Sequence, residues 1–303
     1  MKKTFAMITA MGLAVLMIGT AAFAADTNTE AITNDDGSSE SASSQELLVG
    51  EDNFVITADV PVSSEGELTV GDHSVIKILE SDVAVTEEDI DSYIESIREY
   101  AASMDASTGE TVLPELTDEF VQQYSAENMD TQLNTVEELR EYTREHLYKT
   151  KLHNAIYSAI QETEEVITYK EDMYLLIKEY YMSSLQYYAN LYLTYGYEYD
   201  ENDIAALMYG YDSAESFISA QAQYYTKAFM LLDLLAEEVG VEVSQEEVDA
   251  FVVDYMEQYD YDTAFDEEEF KEMYGDGWVL ISTELNLKFD KVMTALENRV
   301  EFE

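Results

Sequence analysis

Hydrophobic positions along the chain change their spacing twice. Residues 25–47 carry few of them, and Asp35-Asp36-Gly37-Ser38-Ser39-Glu40-Ser41-Ala42-Ser43-Ser44 is almost wholly polar. Ordering such a run would cost backbone entropy with no apolar burial to offset it, so it is read as a disordered acidic and serine-rich leader. Over 48–81 the apolar residues come in short β-branched runs, Phe54–Val60, Glu67–Val70 and Ser74–Leu79, separated by Pro61, Ser63-Ser64, Gly66 and Gly71-Asp72. Runs of this length between turn residues predict a small element of two or three strands.

From Val85 the spacing turns helical. Thr86 with Glu87-Glu88-Asp89 opens a helix to Met104, with Ile90, Tyr93, Ile94 and Ile97 on its apolar side. Thr135-Val136-Glu137-Glu138 reads as a capping box for a helix to Gln161, and Thr168-Tyr169-Lys170-Glu171 as a second box for a helix ended by Gly196,. Asp200 caps a short helix to Tyr209, and Ser213 opens a long one that stops at Gly240, where a C′ glycine belongs,. Ser244-Gln245-Glu246-Glu247 starts a helix to Tyr259, Phe265–Tyr274 gives one turn, and Gly277–Arg299 the last helix. No proline follows Pro114, which suits uninterrupted helices,. Residues 82–303 are therefore predicted as one helical domain in a mainly α chain.

One stretch does not fit a simple amphipathic pattern. Tyr169–Tyr225 holds 14 of the 24 tyrosines in 57 residues. Met173, Ile177, Tyr180, Tyr181, Ser184, Tyr188 and Tyr192 form one apolar stripe, and Leu175, Met182, Ala189 and Leu193 another. A helix apolar nearly all round is either buried on several sides or a contact surface. Tyr187-Tyr188, Tyr195-Gly196-Tyr197-Glu198-Tyr199 and Tyr224-Tyr225 cannot all point inward, which favours some contact surface.

Charge narrows the partners. Lys and Arg number 15 against 65 Asp and Glu, a net charge of −50. That field repels phosphate backbones and excludes nucleic-acid binding, while favouring solubility and cationic partners. There is no cysteine, which excludes disulfides, thiol catalysis and cysteine metal sites. Lys2-Lys3, the apolar run Ala6–Ile18 and Ala22-Phe23-Ala24 read as a signal peptide over 1–24, cleaved near Ala24,. The expectation is an exported protein, in the periplasm, envelope or outside, with no stable membrane insertion afterwards.

Candidate chemistry is sparse. His146 and His153 share a helix face seven residues apart, which suits packing better than zinc, and His73 reads as a loop residue,. Asp260-Tyr261-Asp262 with Asp266-Glu267-Glu268-Glu269 lacks the glycine of a calcium loop and reads as a solvated acidic turn, as does Asp200-Glu201-Asn202-Asp203,. No nucleophile elbow, Walker loop or dinucleotide motif is present,. Neither a metal nor a cofactor is expected.

The order of several motifs resembles the C-terminal chaperone region of trigger factor. They are Glu67–Asp72, Val85–Asp91, Leu113–Phe120, Thr135–Arg140, Gly240–Val248 and Glu269–Asp276, spread over 67–303. The resemblance implies an extended multi-helix cradle similar to that of SurA-type envelope chaperones, with a small N-terminal β element. It implies binding of unfolded or nascent exported polypeptides. The ribosome-docking motif of that family is missing, and Ala101–Val112 is too short for its prolyl-isomerase domain, so no ribosome is expected as partner. The alternatives are a prolyl isomerase without that domain and a non-catalytic scaffold with one fixed partner. Tyr180, Tyr181, Tyr188, Tyr192, Tyr195, Phe217, Tyr224 and Tyr225 are the expected peptide-binding residues, and in the resembling family the hairpin that carries them forms an arm of the cradle.

Overall fold

The structure, a computed structural model, describes residues 61–104, 111–129, 131–258, 270 and 275–303. The signal peptide, the leader, Phe54–Val60, the acidic run 260–269 and the turn of helix expected over Phe265–Tyr274, apart from Phe270, lie outside the described residues.

Three short strands come first, β1 (Val62–Ser63), β2 (Glu67–Thr69) and β3 (Ile76–Ile78). Helices α1 (Glu80–Val83) and α2 (Glu87–Tyr100) follow, then strands β4 (Ser103–Met104) and β5 (Thr111–Val112), helices α3 (Asp118–Asn128) and α4 (Val136–Gln161), and strand β6 (Glu165–Lys170). Then come α5 (Glu171–Thr194), α6 (Glu201–Tyr209), α7 (Ala214–Val239), α8 (Gln245–Gln258) and α9 (Asp276–Val279). A π-helical segment Leu280–Glu284 leads into α10 (Leu285–Leu296), and a single 3₁₀ turn Glu297–Arg299 into β7 (Val300–Phe302). The chain is mainly α, as its periodicity predicts.

Most helix ends lie where local chemistry puts them. Thr86 accepts from the Asp89 N–H and Asp89 from the Thr86 N–H, a reciprocal box at the start of α2,. Asp200 and Asp203 do the same for α6, and Ser213 with Ser216 for α7. Gly240 ends α7 in the left-handed region at φ 71°,. The expected box at Thr168 is a correction. Thr168 lies within β6, its hydroxyl 2.8 Å from that of Ser63, and α5 begins at Glu171 with no side-chain cap. The run Val166-Ile167-Thr168-Tyr169 is β-branched and aromatic, and strand pairing outweighs the local cap. β6 lies between β1, parallel to it, and β2, antiparallel. The last helical run closes at Arg299, as expected, and Val300–Phe302 then form a strand, not foreseen in the sequence, parallel to β3.

The chain forms two compact units. One contains 73–159 and 296–303. Its core gathers Ile90, Ile94 and Ile97 of α2 with Val121, Leu133 and Leu139. Arg140 reaches Asp91 and Glu87 at 2.6 Å each, and Lys151 reaches Asp89 at 2.9 Å, so α4 is tied to α2 at the rim of that core. His153 is buried with Nε2 2.8 Å from Glu297, while His146 stacks against Tyr142. In this unit α1 and α4 border a cleft of about 440 Å³ lined by Val83, Ala84, Val85 and Tyr148, with Glu80, Arg144 and Glu145 around it.

The other unit holds 61–72 and 160–295, and its centre is the pairing of α5 with α7. Ile177 and Leu185 of α5 are buried, as are Phe229, Leu231, Leu232 and Leu235 of α7. Each such side chain contributes about 1.5–3 kcal/mol of apolar transfer. Helix α9 approaches α5 so closely that a Cβ on Gly277 would sit 2.6 Å from Cβ of Tyr180. Beside it, Trp278 packs edge-on against Tyr255 and Phe270 at 5.1 and 5.2 Å.

At the foot of this unit the Glu164 carboxylate is almost wholly buried against the Lys227 ammonium of α7. Burial outweighs the lysine and raises this carboxyl above the ordinary range,. The folded state then holds the proton more tightly than the unfolded chain. This contribution is fully present below the unfolded pKa and is lost as pH rises through the folded one. The Glu164→Gln variant, which cannot ionise, is expected to match the parent's urea midpoint below about pH 4 and to exceed it at pH 7. A variant less stable than the parent at pH 7 would mean that the ion pair outweighs burial.

Candidate functional site

Tyrosine is distributed in two layers over the α5–α6–α7 arrangement. The inner layer is core. Tyr181 meets Phe217 edge-on at 5.4 Å and stacks on Tyr225 at 5.9 Å. Tyr209 of α6 lies flat on Phe217 at 4.3 Å, and Tyr211 meets the same ring at 5.3 Å. Burial raises the phenols of Tyr180, Tyr181, Tyr188 and Tyr225, and takes Tyr209 up to about 12 despite a hydrogen bond with Ser184,. All of these rings stay neutral at any physiological pH.

The outer layer sits at the end of the hairpin and follows from how α5 stops. Gly196 adopts φ +88°, with no atom near the place of a Cβ. The Tyr197 N–H donates to the Tyr192 carbonyl at 3.1 Å and the Gly196 N–H to that of Leu193 at 3.0 Å. This is a Schellman ending, which brings the residue after the glycine back onto the last turn. Tyr197 accordingly packs edge-on to Tyr192 at 6.2 Å. Tyr199 stacks on Tyr197 at 5.7 Å and meets Tyr192 at 5.4 Å. Asp200 then starts α6 by accepting from the Asn202 and Asp203 N–H groups, which hold its carboxyl below the usual carboxylate range. Two helix-ending motifs, back to back, fix three rings in place.

These rings face water. Tyr195 is 65% exposed, Tyr197 54%, Leu193 56% and Tyr199 37%. Their surroundings are acidic: Glu198, Asp200, Glu201 and Asp203 are adjacent in sequence, and no Lys or Arg occurs between Lys178 and Lys227.

The eight residues expected to bind peptide are therefore split. Tyr180, Tyr181, Tyr188, Phe217 and Tyr225 are at most 8% exposed and belong to the core in this conformation. Their place is a correction: α6 covers the α5–α7 seam, and α9 packs on Tyr180, where an open wall was expected. Tyr224 is half-buried, its ring edge-on to Tyr225 at 5.1 Å. Tyr192 is half-buried within the outer cluster, and Tyr195 is open. Tyr197, Tyr199 and Leu193 were not among the eight, although Gly196, as the C′ residue, marks its neighbours as lying where the helix can no longer bury them. Among the described residues no group of three His, Asp or Glu side chains is placed to hold a metal, and no helix is long and apolar enough to cross a membrane.

The two layers differ in what truncation should cost. Phe217→Ala is expected to lower stability by about 3–5 kcal/mol, as core aromatics do, whereas Tyr195→Ser should stay within about 0.5 kcal/mol. Urea unfolding of both variants checks this, and a Tyr195→Ser loss as large as that of Phe217→Ala would contradict the layering.

No protein-family model matches the chain, and no curated relative matches it. Among solved structures, a trigger factor chaperone studied for promiscuous substrate recognition in folding and assembly superposes at a TM-score of 0.33 with 14% identity. The match covers 77% of this chain and 73% of that one. A superposition of that quality carries no argument for function, which has to stand on the chain's own residues.

Proposed function

We propose that the chain is a non-catalytic chaperone of the holdase type, binding unfolded, apolar polypeptide segments at the tyrosine end of its α5–α7 hairpin. The observation that carries this reading is the outer cluster: Tyr195, Tyr197 and Tyr199 held in the open, beside Leu193, in a chain of net charge −50. Tyrosine offers large contact area with little side-chain entropy to lose, and its hydroxyl keeps the surface wettable while empty. The surrounding carboxylates favour segments that are neutral or basic and keep the complex dispersed. On the sequence of residues 1–24 the reading extends to export, with polypeptides outside the cytoplasm as clients.

Magnitudes suit a holdase. Covering roughly 400 Å² of this surface at about 25 cal/mol per Å² gives about 10 kcal/mol before costs. Association and ordering of an unfolded partner remove several kcal/mol, which leaves affinities of about micromolar to millimolar. Binding of that strength releases its client without an energy source.

The test is suppression of aggregation of chemically denatured citrate synthase by the chain from Ala25 onward. The parent is expected to suppress light scattering at stoichiometric amounts, and the triple change Tyr195→Ser, Tyr197→Ser, Tyr199→Ser to lose most of that effect at unchanged stability. No suppression by the parent would overturn the function, and full suppression by the triple variant would overturn the site.

A further inference from the structure

Helix α6 lies over the inner tyrosine layer like a cover, packed against both α5 and α7. Only Ile204 and Ala205 of its nine residues are buried outright. Tyr209 adds its stack on Phe217 and a hydrogen bond with Ser184 of α5, and the Asn202 side chain accepts from the Ala214 N–H at 3.1 Å. The remaining outward side includes Leu207, 58% exposed. At both ends stands a glycine in the left-handed region, Gly196 at φ +88° and Gly210 at φ +70°, each with open space around it. Both caps of α6 are its own: the Asp200–Asp203 box closes its first turn, and Gly210 and Tyr211 donate to carbonyls within the helix at its last. The helix can therefore move as a folded piece without stranding backbone groups.

What lies beneath differs from the rest of the seam. Farther along, α5 and α7 bury Ile177, Phe229, Leu231, Leu232 and Leu235. Near α6, the buried set is rich in aromatic and polar side chains, Tyr181, Ser184, Tyr188, Phe217 and Tyr225, beside the aliphatic Leu185 and Ile218. Tyr209 lies flat on Phe217, and Tyr181 meets that same ring edge-on and stacks on Tyr225, so these rings lie together under the cover. Phenols are a costly choice for a permanent core, since each hydroxyl must give up water. They are a good choice for a floor that meets water part of the time.

We infer that α6 is a hinged lid, turning at Gly196 and Gly210, and that the aromatic floor of Tyr181, Tyr188, Phe217 and Tyr225 is a second, covered binding surface for apolar polypeptide segments. The inference rests on the proposed client class. The outer rings link the two surfaces: Tyr197 and Tyr199 belong to the strand of chain between Gly196 and the lid and clasp Tyr192 of α5. A segment that takes hold of those rings competes with the clasp and favours the open lid, so the client selects a state that is already populated.

The chain has no cysteine, so a single introduced thiol reports opening at one place. Ala205→Cys puts it under the lid and Ala228→Cys in the α7 core, both positions being buried in the parent. In native buffer the thiol at 205 is expected to react with an aromatic disulfide reagent at least about tenfold faster than that at 228, with little dependence on low urea, as local opening requires. Saturating reduced, carboxamidomethylated ribonuclease A, a permanently unfolded basic chain, is expected to raise the rate at 205 and not at 228. Ile204→Cys, also buried under the lid in the parent, supplies a second reporter where Ala205→Cys fails to fold. Equal rates and equal urea dependence at both thiols would overturn the lid. Faster reaction at 205 that the unfolded chain leaves unchanged or slows would overturn the covered binding surface. Either failure alongside intact suppression of aggregation would leave the outer surface standing, whereas loss of suppression itself would remove the client class on which the inference depends.

Discussion

The pairing of α5 with α7 is the constraint on which the rest depends. Two helices of this length, each apolar on more than one side, cannot satisfy all of that surface against one another. The aliphatic half of the seam closes directly, through side chains such as Ile177 and Leu232. The aromatic half needs a third element, and α6 supplies it with Ile204, Ala205 and the Tyr209 ring over Phe217. What α6 does not reach is left at the hairpin end, where the Schellman turn at Gly196 gathers Tyr192, Tyr197 and Tyr199. The exposed site is thus a consequence of helix termination as much as of composition.

Charge sets the terms on which such a surface is tolerable. Exposed aromatic clusters on a neutral protein invite self-association. Here two copies of the same acidic chain repel one another at long range, so the cluster is open to unlike partners and poorly suited to like ones. Much of the little basic charge is spent inside each unit. Arg140 and Lys151 tie α4 to α2, and Lys178 bridges α5 to Glu215 of α7 at 3.0 Å. The tyrosine end of the hairpin has no cation of its own.

Much of the fold was legible in the chain because it is fixed locally. The helix starts at Thr86, Asp200 and Ser213 and the glycine at 240 act within a few residues, and the structure keeps them. What local reading missed is set by distant partners. β6 is a strand because β1 and β2 lie beside it, Val62 opposite Tyr169 and Leu68 opposite Val166, and β7 because Ile76 lies opposite Val300. The site was half legible for the same reason. Tyr195 is exposed by the helix end, a local event. Tyr181 and Tyr225 are hidden by a helix whose position no periodicity records, since an all-round apolar pattern does not say which side a third element will cover.

The most direct measurement places a photo-crosslinking residue at position 195 and, as a reference, at Tyr148, an exposed aromatic of the other unit. With reduced, carboxamidomethylated ribonuclease A as the unfolded partner, crosslinks are expected from position 195 and few from position 148. Crosslinks from position 148 alone, or from neither, would contradict the assignment of the tyrosine end as the surface that meets unfolded chains.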